Sequence, residues 1–562
     1  MSVKNKELQL LFKKKEYTKI IEIIENQEKS EKIPAALLNV LGVCMLLRNN
    51  KKKDDLVSAN KIFHSVLLQE KNNADGLSAS INFINSSVDI FDENVNNNNK
   101  NLVHDYISQA ENVFIETEKH FGFNEKLILA AVRIYKRQSN LNKILFYLKE
   151  LIKNDCSTPK VLCSYIYRNC FVKNWSQMDF LFNAKKLNKI LDNFTSDKLS
   201  SIDKVKENKI SIAFLSSDVI GNHSITFFLK TVLQNYDKNK FKVYLISNSA
   251  EEDETTNYFK TLVDEFININ HLYDQEALNL IRGKKISILI DLMGLTSSNR
   301  ISLFKSRMAS IQVSWLGFCN TTGIDNMDYI LADENTIKDG ENVMYSEKII
   351  YLPNIWNCHS GIKFVRNKNF MPAKLNKYVT FGSFNNFNKI NEDVVKVWSQ
   401  ILKEVDNSKL ILKSSISIQT DIVKNLFKSN EVEDSVVFLK KKNFEDHLNL
   451  YNSIDIALDT FPYNGVTTSF ESIWMGVPVL TMKGYNFNSR CGESINKNLG
   501  LEALIAEDNA DYILKAKELS GNLDKLFNIR QHIYEKALNS PLFNTENFLK
   551  GFYKSLEEIY YR

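Results

Sequence analysis

From Ile210 onward the chain alternates short, continuous apolar runs with helical spacers, and this alternation restricts the fold more than any other feature. I-S-I-A-F-L-S-S-D (210–218), F-K-V-Y-L-I-S-N-S (241–249), I-S-I-L-I-D-L-M-G (286–294), I-Q-V-S-W-L-G-F (311–318) and Y-I-L-A-D (329–333) form a first series. After a linker near 354–376 a second series follows: Y-V-T-F-G-S-F (378–384), K-L-I-L-K-S (409–414), V-V-F-L (436–439), I-D-I-A-L-D (454–459) and V-P-V-L-T-M (477–482). Unbroken apolar runs suit strands buried on both faces, as in a parallel sheet covered by helices. Two series predict two consecutive doubly wound domains, with a cleft between them where strand C-termini and helix N-termini converge.

Residues 1–200 read instead as helices with almost no glycine. Leu38, Leu41, Gly42, Ala59 and Phe63 carry the spacing of one helical hairpin, in which the small residues let two helices approach closely. N-N-A-D then turns the chain toward the next unit. The pattern resembles a tetratricopeptide repeat with a long turn, N-N-K-K-K-D-D at 49–55; a plain helical bundle is the alternative. Leu8 to Glu25 reads as a preceding unit, 103–120 and 126–153 as degenerate ones, and N-V-N-N-N-N-K-N at 94–101 as a low-complexity loop. Stacked repeats usually make a concave peptide-binding surface.

At 562 residues and roughly 150 per domain, three or four folded units fit. A net charge of +5 over 72 basic and 67 acidic side chains lacks the concentrated basic face of a nucleic-acid binder. Seven cysteines without a C-x-x-C pair argue against a disulfide framework or structural zinc, and for a reducing, cytoplasmic setting. The densest apolar stretch, Leu37 to Leu47, covers 11 positions, too few to cross a bilayer.

No two glycines are spaced G-x-G and no G-x-x-x-x-G-K-[ST] occurs, which removes the usual dinucleotide and P-loop fingerprints. The richest stretch runs from Asp459 to Arg490. A strand enters a turn with Pro462, Asn464 and Gly465, then Val466, Thr467 and Thr468 lead into a helical pattern that carries Glu471. First-turn amides without intrahelical partners make a site for an anion, and Glu471 could hold a ribose; an ordinary capped βα turn is the alternative. Lys389, in F-G-S-F-N-N-F-N-K-I, could offset charge on a diphosphate leaving group, with Asn386 beside it; a solvated surface lysine is the plain reading. His223, after a strand and ahead of an amphipathic helix, is a candidate for sugar positioning or proton transfer, or simply a helix cap. His447 could lie against a base or sit exposed on a helix. No D-x-D occurs, so no metal cofactor is expected: helix dipoles and a lysine would neutralise the diphosphate.

Together these segments resemble one family. S-S-D-V-I-G-N-H-S, Q-V-S-W-L-G-F-C-N-T-T-G, F-G-S-F-N-N-F-N-K-I, L-D-T-F-P-Y-N-G-V-T-T-S-F-E-S-I-W-M-G-V-P-V-L-T-M and S-R at 489–490 stand in the order found in the O-linked N-acetylglucosamine transferases and their Spindly-type O-fucosyltransferase relatives. R-N-C-F-V-K-N-W-S at 168–176 is similar to the segment where those proteins leave their repeats. The resemblance implies an α/β GT-B fold behind an all-α repeat region. Its expected divisions are repeats 1–160, a helical transition 161–205, Rossmann-like domains 206–365 and 366–540, and a C-terminal helix 541–562. It also implies that Lys389 contacts the diphosphate, Thr467 and Thr468 bind phosphate, Glu471 holds the ribose and His447 stacks on the base. Asn386, Gly465 and Val466 would line the same pocket, and Lys442, Asn443 and Phe444 would pass beside the base. His223 falls on the active-site histidine, and Gly317 with Thr321, Thr322 and Gly323 would form the facing loop.

The sequence departs from the family at Val466 and Glu471, where the animal enzymes carry histidine and aspartate, and at Leu295 and R-M-A-S (307–310). The expected activity is inverting transfer of a sugar from UDP-N-acetylglucosamine or a similar nucleotide sugar to Ser/Thr hydroxyls of acceptor proteins selected by the repeats. GDP-fucose, a glycan or small-molecule acceptor, a weakly active scaffold, and a homo-oligomer remain open, with the sequence leaning toward bacterial and Spindly-like members.

Overall fold

In the computed structural model each of the ten apolar runs above forms a strand. The structure describes residues 3–28, 33–48, 54–96, 100–195, 197, 199, 201–203, 208–364, 366, 370–414, 417–440 and 442–562. The chain divides into two compact units, residues 1–156 with 416–422, and residues 157–415 with 423–562.

The first unit is helical. Ala35–Leu47 and Asp55–Gln69 form the expected hairpin. A Cβ on Gly42 would stand 2.6 Å from the Phe63 ring, and Ala59 and Phe63 are fully buried, so the small residue is what lets the helices close. Most of the inter-helix turn, 49–53, lies outside the described residues. The 94–101 run is not a free loop: Ala74–Asn96 extends into it from one side and Lys100–Phe121 begins within it, while 97–99 lie outside the described residues. Glu125–Gln138 and Leu141–Lys153 complete the unit, each started by an asparagine whose side chain accepts from a first-turn amide.

The second unit holds two parallel sheets. The first contains β1 (Ile210–Ser216), β2 (Phe241–Ser247), β3 (Glu265–Asn268), β4 (Ile288–Asp291), β5 (Ile311–Ser314), β6 (Tyr329–Ala332) and β7 (Lys348–Tyr351), in the order β3-β2-β1-β4-β5-β6-β7. The second contains β8 (Thr380–Ser383), β9 (Lys409–Ser414), β10 (Val436–Lys440), β11 (Ile456–Leu458), β12 (Val479–Met482) and β13 (Ile505–Ala506), in the order β10-β9-β8-β11-β12-β13. Every residue of β1 is buried, and its register pairs Ile212 with Val243 on one side and Ile288 on the other. Both orders reverse direction beside the first strand of the sheet, and ligands bind at such switch points, beyond the strand C-termini.

Two helical segments that flank the sheets in sequence pack on the first lobe. Helices Pro159–Asn169 and Gln177–Leu191 precede β1; the Gln177 amide donates to Asn320 at 2.8 Å and Asn188 to Asp325 at 2.7 Å. The final helix, Thr545–Tyr561, follows the second sheet in sequence but packs on the first lobe. Its Phe552 ring lies 4.9 Å from Trp315, and the Tyr553 hydroxyl donates to Val232 O at 2.7 Å. No helix among the described residues is long and apolar enough to cross a membrane.

Candidate donor site between the two lobes

The strand C-termini of both lobes open onto a cavity of about 380 Å³, within the range that holds a small-molecule substrate. From the second lobe, β8 ends at Ser383 and the chain delivers Asn385 and Asn386, then a 3₁₀ turn Phe387–Lys389. The Lys389 ammonium donates to Asn464 O at 2.7 Å and lies 4.3 Å from the centre of the Tyr463 ring. Burial pulls the Lys389 pKa down to about 8, against the charge of Asp459, which favours the ammonium. The cation is thus kept where water solvates it poorly, ready for an anion.

The loop after β11 is organised by Asp459. Its carboxylate accepts from the Gly465 amide at 2.7 Å, the Thr460 amide at 2.9 Å and the Thr481 hydroxyl at 2.7 Å, and burial pushes its pKa up to about 6. Gly465 has no room for a side chain: a Cβ would stand 2.4 Å from Thr468 Oγ1 and 2.6 Å from Asn385 Oδ1. That close approach lets Thr468 donate to Asn385 at 2.9 Å. Helix Thr467–Trp474 then starts with no side-chain cap, and Val466, Thr467 and Thr468 line the cavity beside Lys389. An uncapped helix start and a desolvated ammonium share one wall.

The first lobe supplies the facing wall. Asp218 lies two residues past β1 and is the only carboxylate among the lining residues; Thr296 and Ser297 follow β4; Leu316, Gly317 and Cys319 follow β5. Gly317 is required because a Cβ would stand 1.8 Å from Leu292 O. His223 caps helix Ser224–Gln234, its Nδ1 accepting from the Ile225 amide at 3.4 Å. A neutral ring so bonded carries its proton on Nε2. Among the described residues no group of three or more His, Cys, Asp or Glu is placed to hold a metal ion.

Several expected residues stand elsewhere. Thr321 and Thr322 do not face the cavity: the Thr321 hydroxyl and the Thr322 amide each donate to buried Glu347 at 2.7 Å. Gly323 turns at φ +74° against Ala184. These three brace the loop from behind, because a carboxylate from the segment before β7 captures the hydroxyls. Lys442 is exposed, Asn443 caps helix Phe444–Leu450, and Phe444 stacks on Phe227 at 5.4 Å; none of them lines the cavity. His447 is buried rather than exposed. Its Nε2 lies 3.0 Å from Glu471 Oε2, which also accepts from the Tyr451 hydroxyl at 3.0 Å, and its Nδ1 lies 2.8 Å from Lys413 Nζ. Leu295 is also buried.

Other lining residues gave no sequence signal of a site. Tyr167, Trp356 and Cys491 line the cavity, yet each reads as an ordinary core residue; Tyr463, also in the lining, stands inside the Asp459–Arg490 stretch but carries no role in the sequence reading. Tyr463 stacks on Phe171 at 4.9 Å, so the R-N-C-F-V-K-N-W-S segment buttresses the residue over which Lys389 lies.

Two facing parallel-sheet lobes, with an uncapped helix start and a lysine on the C-terminal lobe, define a GT-B architecture. Residues 186–374 and 362–552 match glycosyl transferase family 41, and the chain belongs to that family. It is 33% identical over 370 residues to a tomato (Solanum lycopersicum) protein named "Probable UDP-N-acetylglucosamine--peptide N-acetylglucosaminyltransferase SPINDLY", covering 64% of this chain and 39% of that protein. It is 27% identical over 366 residues to the Arabidopsis thaliana protein of the same description named SEC, covering 63% of this chain and 37% of that one. The chain therefore spans well under half the length of these relatives. Its fold is that of a lysine-to-methionine mutant of the Thermobaculum terrenum O-GlcNAc transferase, with a TM-score of 0.79, 21% identity, and coverage of 94% of this chain and 98% of the other.

Proposed function

We propose that this chain is an inverting glycosyltransferase that moves a sugar from a nucleotide-sugar donor to a serine or threonine hydroxyl of an acceptor protein. The carrying observation is the shared wall: the Lys389 ammonium and the open start of helix Thr467–Trp474 line one cavity. Charge develops on the diphosphate as the anomeric C–O bond breaks, and preorganised donors aimed at that charge supply the largest catalytic contribution. The names of the plant relatives favour UDP-N-acetylglucosamine as donor and a peptide as acceptor. The helices of the first unit are our candidate for acceptor selection.

In this reading the diphosphate lies against Lys389, Thr467 and Thr468, and the nucleoside passes Asn386. Glu471 and His447 are one layer behind the wall, so a nucleoside reaches them by replacing their mutual hydrogen bond with its own hydroxyls and ring. His223 acts as an Nε2–H donor that positions the reacting groups, and Asp218 is the carboxylate that takes the acceptor proton. His223→Gln, which keeps a donor, is expected to hold kcat within about tenfold of the natural enzyme, while Asp218→Asn loses about a hundredfold or more. The reverse ranking would make the histidine the base.

The donor is tested by calorimetry against UDP- and GDP-sugars, with transfer to protein followed by mass spectrometry. Lys389 gives this assay a pH signature. Its pKa lies near 8 in the free protein, and a bound diphosphate must raise it. Binding therefore takes up protons: affinity is full below pH 8 and weakens above it, by up to about tenfold per pH unit until the bound-state value is reached. Lys389→Met should give a flat profile over this range. UDP affinity that is independent of pH in the natural protein would remove Lys389 from the diphosphate site.

A further inference from the structure

We infer that a second cavity, on the opposite face of helix Ser224–Gln234 from the donor site, binds a planar aromatic ring carrying an anionic group. The helix presents Ser224, Ile225 and Phe228 to the donor cavity, and Thr226, Phe227 and Lys230 to the second one. These two sets lie on opposite sides at helical spacing. The second cavity has the same size, about 380 Å³, and it is bounded by both lobes.

Its wall suits an aromatic ring. Phe227 lies between His359 at 5.5 Å and Phe444 at 5.4 Å, with interplanar angles of 19° and 25°. Phe227, His359 and partly buried Phe444 all line the cavity, so a further planar ring can pack against this aromatic wall. Its polar groups suit an anion. Lys230 sits 5.4 Å from the Tyr258 ring centre, and Lys363 stands at the rim. Glu254 is the one carboxylate among the lining residues, so the two cations outnumber it.

His359 adds an unused donor. The residue is 2% exposed; its Nδ1 accepts from the Gly361 amide at 3.0 Å, and its Nε2 has no partner. Burial, helped by the Lys230 charge, pulls its pKa down to about 3, so the ring is neutral and its proton rests on Nε2. A buried N–H with no acceptor is costly, and a carboxylate or phosphate oxygen entering past Phe227 would satisfy it. A ligand here would bear on parts that build the donor site. Phe444 opens the helix that carries His447, and the His359 ring stacks on Phe470 at 6.1 Å, within helix Thr467–Trp474.

The test uses naphthoate as probe on the full chain, followed by saturation-transfer NMR and calorimetry with and without saturating UDP. We expect naphthoate to bind in both conditions, Lys230→Gln to weaken it about tenfold, the loss of one charge-assisted contact, Phe444→Leu to weaken it as well, and Lys389→Met to leave it unchanged. Displacement by UDP would mean that naphthoate occupies the donor cleft, and affinity indifferent to both Lys230→Gln and Phe444→Leu would mean non-specific adsorption; either overturns the inference, as does absence of binding up to the solubility limit. The readout is binding, so it holds or fails independently of the transfer reaction.

Discussion

Lys389→Met is expected to lower sugar transfer by about a hundredfold to a thousandfold, the loss seen when one preorganised donor to a developing anion is removed. The protein should stay folded. The lysine hydrogen-bonds one backbone carbonyl, Asn464 O, and packs over Tyr463, and a methionine of similar length fills the same space. The stability effect has a definite sign. Burial holds the Lys389 pKa below its ordinary value, at about 8, so the folded state disfavours the ammonium throughout the range below pH 8. Removing the charge there should leave the denaturation midpoint unchanged or slightly raised. Loss of turnover at an unchanged midpoint is the expected pair of results, measured by product formation and by urea titration of intrinsic fluorescence. Near-normal turnover would take the diphosphate away from Lys389 and with it the mechanism proposed above.

The lysine could be found in the sequence because of where it stands. Ligand sites on a doubly wound domain lie beyond the strand C-termini, and a polar turn there has little packing value. Lys389 after β8, His223 after β1 and the Thr467–Thr468 pair after β11 all fit that description, and all line the cavity. Tyr167, Trp356 and Cys491 do not fit it. They are large or apolar residues on elements far apart in the chain, and only folding brings them to the site. Thr321 and Thr322 show the opposite failure. T-T-G after a strand resembles the T-T turn at 467–468, but Glu347, 25 residues beyond Thr322, turns the hydroxyls inward. No local pattern could announce that partner.

The same physics explains which strands escaped notice. E-F-I-N in β3, K-I-I-Y in β7 and the two residues of β13 are all sheet edges. An edge strand is covered on fewer sides than a central one, so its run can be short or carry charge, although the edge strand β10 still shows V-V-F-L; fully buried β1 and β4 give continuous apolar sequence. In the first unit, N-V-N-N-N-N-K-N reads as a loop by composition, yet helices enter it from both ends. Tertiary packing of the long helix Ala74–Asn96 overrides the weak local preference of asparagine.

Arg490→Met should be the most destabilising single change at the lobe boundary. Arg490, in helix Phe487–Asn498 of the second lobe, is 5% exposed and donates to both oxygens of Glu341 in the first, at 2.6 and 2.8 Å. It also donates to Gly484 O at 3.1 Å. Removing one partner of a buried ion pair leaves the other charge poorly solvated, and a cost of about 3 kcal/mol follows. The Glu341 carboxyl supplies an independent check. Burial alone would push its pKa up; the Arg490 bonds and the Lys338 amide outweigh this and hold it below the ordinary value. A depressed carboxyl contributes stability that is present above its ordinary range and lost as pH falls through the folded-state value. The natural protein should therefore lose part of its stability on acidification through that range, and Arg490→Met should lose much of that dependence along with its lower midpoint. Because both lobes wall the cavity, the proposed transfer should fall in parallel, and saturating UDP should recover part of the midpoint through binding to the folded state. Glu341→Leu combined with Arg490→Met should cost less than the sum of the two single changes, since no unpaired charge remains. Strict additivity in that cycle, with an unaltered acid dependence in Arg490→Met, would show that the lobes are held by their apolar contacts alone.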